Sequence, residues 1–235
     1  MMLRTLFTRV RQPEAPPPWT SFSALQTVIV SYMTVIVGTV LAVMVFGQQR
    51  FSLLLGWTLA GALTLVFVWF TRRSPQERAA LRLGPTNNTS LLLVALLCLG
   101  IAMALDVLRR YQPVPELMNF TRTPGEWLFA GLFMLMVQPI AEEVVFRGVM
   151  YPALRVTLGA WTGVLATILA HALFHFLAYS SADMNIDAIW LTLALPYIDA
   201  LVLTLVRAYT GSTRAAIVGH MAFGLFAMVK VITLG

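Results

Sequence analysis

Seven stretches of this chain run apolar for about 19 residues or more, at about 21–46, 51–70, 90–108, 127–146, 161–179, 186–206 and 213–233. A helix crossing a bilayer needs roughly 20 mainly apolar residues, because the hydrocarbon core is about 30 Å thick and each residue rises about 1.5 Å. Short polar links separate the runs, the longest being TRRSPQERAALRLGPTNNT at 71–89 and RRYQPVPELMNFTRTPGE at 109–126. The pattern predicts an all-α integral membrane protein, a bundle of about seven transmembrane helices in one domain over 21–235. Residues 1–20 read as a short, mobile cytoplasmic tail, with EAPPPW a stiff spacer. The apolar run that follows is too long for a signal-peptide core.

Composition strengthens this reading. The chain is 59% hydrophobic and 11% charged, against about 25% charged in soluble domains. A net charge of +6 has no soluble basic domain to carry it, which excludes a nucleic-acid function. Cys98 is the only cysteine, so a disulfide framework and a cysteine metal site are excluded as well.

The arginines instead report topology, because loops on the cytoplasmic side are enriched in Lys and Arg. Arg4, Arg9, Arg11, Arg72, Arg73, Arg78, Arg82, Arg147, Arg155, Arg207 and Arg214 fall on one side. Arg50, Arg109, Arg110, Arg122 and Lys230 fall on the other. The amino terminus is expected in the cytoplasm and the carboxyl terminus outside, with the link at 180–186 also outside. That places AEEVVFRGV, residues 141–149, at or near the cytoplasmic end of the fourth helix.

Ionisable side chains deep in a bilayer are costly, and those present usually face the protein interior or a water-filled cavity. Apart from interfacial charges such as Asp187 and Lys230, they are Asp106, Glu142, Glu143, Asp199, His171, His175 and His220. All three histidines of the chain lie in its second half with the Glu-Glu pair, which indicates a polar intramembrane site rather than isolated core imidazoles. Residues four apart share a helix face, so Glu143 can pair with Arg147. Glu142 points about 100° away and is left to act as a general base toward the histidines. The alternative is that both glutamates only bridge helix ends.

His171 and His175 also share a face, a spacing that suits two zinc ligands with a glutamate as third, or one catalytic and one supporting histidine. The residues that could hold such a divalent metal are Glu142, His171, His175 and His220. Pro196 breaks the sixth helix near Asp199, which gives either a hinge or lining residue or an ordinary kink with a satisfied carboxylate.

EEVVFRG resembles the EExxxR motif of the CPBP intramembrane proteases, the group of CAAX prenyl endopeptidases and bacteriocin-processing or Abi proteins. ILAHALFHF and TGSTRAAIVGHMAFG look like its second and third motifs, FxxxH and HxxxN, so the resemblance covers about 125–230. It implies that Glu142 activates a water with help from His175, that Glu143 and Arg147 hold the site together, and that His220 stabilises the oxyanion. The implied partners are membrane lipid and a peptide or protein substrate at the membrane. Two positions depart from the pattern: His171 stands where the second motif has Phe, and Gly224 where the third has Asn or Asp. Gly224 is expected to mark a weakened oxyanion site, so that Gly224→Asn would raise cleavage. The rival reading is a catalytically weakened or inactive relative that binds a membrane partner. A proton-coupled transporter is disfavoured, since no paired half-repeats are visible.

Overall fold

A computed structural model describes residues 2–48, 50–109, 123–179 and 185–234. Expectations resting on Arg110, Arg122 and positions 180–184 lie outside the described residues.

Among the described residues, seven helices are long and apolar enough to cross a membrane. They are α2 (Ser21–Phe46), α3 (Arg50–Thr71), α5 (Asn88–Leu108), α6 (Pro124–Leu158), α7 (Ala160–Tyr179), α8 (Ile186–Thr210) and α9 (Thr213–Leu234). Two short helices, α1 (Met2–Arg11) and α4 (Pro75–Ala80), precede α2 and follow α3. No strand occurs among the described residues. The all-α membrane bundle expected from the hydropathy pattern is the architecture observed.

Between helices in lipid there is little hydrophobic drive, so close backbone approach and buried polar contacts do the joining. The α2/α3 hairpin illustrates this: a Cβ at Gly38 would come 2.3 Å from the carbonyl oxygen of Gly56, so only glycine permits the crossing. The outward faces of the spans are apolar, Leu92, Leu96, Leu169 and Leu173 among them.

The fourth run departs from its expected length. It was read as 127–146, yet α6 extends over 35 residues to Leu158. It begins at a capping box between Thr123 and Glu126 with Pro124 in the first turn, and it ends at Gly159, whose φ of 89° stops the helix. Inside it, Phe133–Val137 and Val144–Met150 are wound as π-helix on either side of Gln138–Glu143. Such segments carry an extra residue per turn and re-aim the side chains around them. The Glu-Glu motif therefore lies in the interior of a long helix, and the expectation that it sits at a helix end is corrected.

The amino-terminal segment, expected as a mobile tail, is packed against the bundle. Val10 is fully buried, and Phe7 lies against Trp161 with ring centroids 4.9 Å apart. The Trp19 indole donates to the Val149 carbonyl at 2.9 Å. Arg155 donates to the carbonyls of Val10 and Gln12. The Glu14 carboxylate accepts both terminal nitrogens of fully buried Arg207, and Arg82 Nε lies 3.4 Å and Arg155 Nη1 3.8 Å away. Arg82 closes the segment begun by α4, whose Ser74–Glu77 capping box holds the Glu77 carboxyl below its usual range through the Ser74 backbone N–H. Tail, link and bundle are tied together through these arginines.

Candidate active site

The helices α6, α7 and α9 bring all five of the sequence-predicted catalytic residues into one buried cluster. Glu143 and Arg147, four apart on α6, form an ion pair at 3.0 Å with no exposed side-chain surface on either. Arg147 is held from two further helices: one terminal nitrogen also donates to His171 Nδ1 on α7, and the other to the Ala200 carbonyl on α8 at 3.0 Å. His220 on α9 bonds Glu143 Oε1 through Nδ1 at 2.9 Å. The expected pairing of Glu143 with Arg147 is thus present, and Arg147 is the junction of three helices.

Glu142 faces the other way, as the helical step requires. Its Oε2 lies 2.9 Å from His175 Nε2 and 3.2 Å from His171 Nε2. Its Oε1 accepts from Gln138 Nε2 at 3.0 Å and from the Tyr179 hydroxyl at 3.4 Å. The two imidazoles stack, centroids 4.9 Å apart, and Phe146 stacks on His171 at 4.5 Å. Gln138 and Tyr179 were missed from the sequence. A signal was present: Gln138 is four before Glu142 on α6, and Tyr179 is four after His175 on α7, so each extends a face already identified.

The metal expectation can be tested on proton positions. Glu142, His171 and His175 bring ligand atoms within 4.8 Å of one another, a group that could hold a metal; His220 is not part of it. A guanidinium has donors and no acceptor. His171 Nδ1 must therefore accept from Arg147, and the ring proton sits on Nε2, where it donates to Glu142. A metal-bound histidine normally donates its second nitrogen to an acceptor. Here that nitrogen meets a donor, and the nitrogen facing Glu142 carries a proton. As arranged, the donor set does not fit a three-ligand metal centre.

Position 224 corrects an expectation. A Cβ at Gly224 would lie 2.4 Å from the Met134 carbonyl oxygen, which belongs to the π-segment of α6. The glycine is what lets α9 reach α6, so the position has a packing role besides supplying no side-chain donor. Gly224→Asn cannot raise cleavage without first parting the two helices.

Asp199 on α8 lies near the site. It lies within electrostatic reach of His220, His175, Arg147 and Glu143, and its Oδ1 is buried without a hydrogen-bond partner. That favours the reading of Asp199 as a residue lining the site over an ordinary kink with a satisfied carboxylate.

Fold and cluster define the class: a polytopic α-helical membrane protein with a buried Glu-Arg-His centre. Residues 124–226 match the family model of the type II CAAX prenyl endopeptidase Rce1-like proteins. The matched region is the one that carries the site and is similar to that family of CAAX proteases. No curated protein and no solved structure matches the chain.

Proposed function

We propose that the protein is an intramembrane endopeptidase that hydrolyses a peptide bond of a membrane-associated or lipidated substrate through a water activated by Glu142. The observation that carries this reading is the division of labour between the two glutamates: Glu143 is tied to Arg147 and His220, while Glu142 is held by His171 and His175 and lines a cavity of about 20 Å³. A general base must reach the proton that it removes, and a water in that cavity is within its reach.

In this mechanism Glu142 takes a proton from the water as the oxygen attacks the scissile carbonyl, and returns it to the leaving amine nitrogen as the C–N bond breaks. His175 holds the carboxylate in place and shares the proton load. His220, when it carries both ring protons, bonds Glu143 through Nδ1 and has Nε2–H available for the developing oxyanion. Such a donor is worth about 10²–10³ in turnover. Glu143 and Arg147 fix the positions of His220 and His171. No step requires a metal, and zinc would be accommodated only if Arg147 released His171.

Gly224 favours a second reading, because its position supplies no side-chain donor. A relative that retains the architecture and binds a membrane partner without cutting it fits that feature. The experiment that decides is a comparison of protein termini in membranes containing the wild type or Glu142→Ala. A terminus generated only by the wild type supports hydrolysis; identical sets in both sink it in favour of binding.

The arginine distribution supports a cytoplasmic amino terminus and an outer carboxyl terminus. With Cys98 replaced, modification of Gln76→Cys by an impermeant thiol reagent in intact cells would overturn that orientation.

A further inference from the structure

Ser23, Thr27 and Ser31 recur every four residues on α2 and share its inner face. Thr27 and Ser31 are buried, 2% and 7% exposed, in a helix whose outer positions such as Ile29 and Met33 are apolar and open to lipid. The plain explanation for such hydroxyls is that they bond back to their own helix or join neighbours. That accounts for Thr27, which donates to the Ser23 carbonyl, and for Thr34, which donates to the Ser31 carbonyl.

Ser31 also joins a neighbour, but its oxygen lines a cavity as well. Thr34 has spent its only proton on a carbonyl, so in the 2.8 Å contact between Thr34 and Thr64 the donor is Thr64. In the 3.3 Å contact between Ser31 and Thr64 the donor is then Ser31. The Ser31 oxygen keeps its lone pairs, and Ser31 lines the same cavity as Thr64, Gln138, Glu142 and Tyr179. The volume of about 20 Å³ admits one water. A water there can donate to the Glu142 carboxylate and to Ser31 Oγ while accepting the second Nε2 proton of Gln138, the three bonds usual for a buried water.

The other end of the row meets Arg72, the first residue after α3. Its Nη2 donates to Ser23 Oγ at 3.0 Å and to Thr27 Oγ1 at 3.3 Å. Arg72 is itself buried, 6% exposed, and its Nε has no partner. A guanidinium nitrogen without a hydrogen-bond partner, one residue past the end of α3, and the cavity that Ser31, Thr64 and Glu142 help line thus stand at opposite ends of one row of hydroxyls.

We propose that this line, Ser23, Thr27 and Ser31 of α2 closed by Thr64 of α3, is the path by which water reaches the Glu142 carboxylate from its Arg72 end. It is built from helices outside the family match at 124–226, so the amino-terminal hairpin completes the site. The use of that water as nucleophile rests on the hydrolase reading; the hydration of the path does not.

The test uses the full chain in phosphatidylcholine nanodiscs, with Cys98→Ala and one new thiol per variant at Thr27→Cys, Ser31→Cys or Ile29→Cys. Silver ion serves as the probe, being small and confined to aqueous routes, and thiols left unmodified are counted with maleimide after denaturation. Only variants that elute at the wild-type volume are compared. Thr27→Cys and Ser31→Cys should react on the order of a hundredfold faster than Ile29→Cys, the factor set by the cost of carrying a charge through hydrocarbon. Adding the near-isosteric Thr27→Val should slow Ser31→Cys. Equal rates at Ser31→Cys and Ile29→Cys overturn the path, and a fast Ser31→Cys indifferent to Thr27→Val overturns its course from Arg72. A hydrated path combined with identical termini in wild-type and Glu142→Ala membranes would refute hydrolysis and leave the path standing.

Discussion

The protein buries two ionic clusters that solve the same electrostatic problem in opposite ways. At the intramembrane centre, Glu142 and Glu143 are set against one arginine and three histidines, and the Glu142 oxygens have two partners each. At the amino-terminal cluster one carboxylate, Glu14, serves Arg82, Arg155 and Arg207, and carbonyls and the Tyr151 hydroxyl supply the remaining acceptors. Within the first cluster Gln138–Glu142 and Glu143–Arg147 are four apart on one helix and the histidines come from two others; the second joins residues as far apart as Glu14 and Arg207. The difference teaches that part of the centre is set by helix periodicity, whereas the ion pairs of the tail cluster depend wholly on how separate segments pack.

The largest effect should come from removing the arginine at the centre. Breaking a buried pair leaves an uncompensated charge and costs about 3–5 kcal/mol. Arg147→Ala and Glu143→Gln should each lower the monodisperse fraction on size-exclusion chromatography, while Glu142→Gln keeps the yield and abolishes Glu142-dependent cleavage. Equal losses in all three would erase the distinction between holding and reacting glutamates.

Next in size is Glu14→Ala, which strands fully buried Arg207. A loss of about 2–3 kcal/mol is expected, read as a lower melting temperature in detergent together with faster proteolysis between residues 12 and 19. Unchanged proteolysis would mean that the tail is held without its carboxylate.

Gly224→Ala tests the crossing of α9 over α6. Forcing a Cβ against the Met134 carbonyl should cost about 1–3 kcal/mol, whereas Gly131→Ala, whose Cβ meets only the flexible end of Met228 at 3.5 Å, should be tolerated. Cleavage raised in a folded Gly224→Asn protein would restore the idea of a missing donor.

The smallest effect should be Arg82→Ala. Its side chain is 45% exposed, and surface ion pairs are worth about 0–1 kcal/mol. A melting temperature lowered as far as by Glu14→Ala would show the amino-terminal cluster to be one cooperative unit.

Much was already determined by the sequence. Seven spans follow from apolar run length, because lipid leaves the backbone no partner except its own helix. The pairing of Glu143 with Arg147 and the opposite outlook of Glu142 follow from 3.6 residues per turn. Charges that hydrocarbon excludes can only converge, so the histidines were legible as a site before any distance was known.

Tertiary structure alone decided the rest. Nothing in local spacing could place Glu14 on Arg207, Arg147 on the Ala200 carbonyl or Ser31 beside Glu142, since these contacts depend on how separate helices dock. The role of Gly224 is of the same kind: motif comparison reads it as a lost side chain, but the 2.4 Å approach to Met134 makes it the condition for α9 to pack at all. The proton on His171, and with it the misfit of a metal, depends on a guanidinium 24 positions away in the chain. Helix periodicity tells which residues share a face; only packing tells what that face meets.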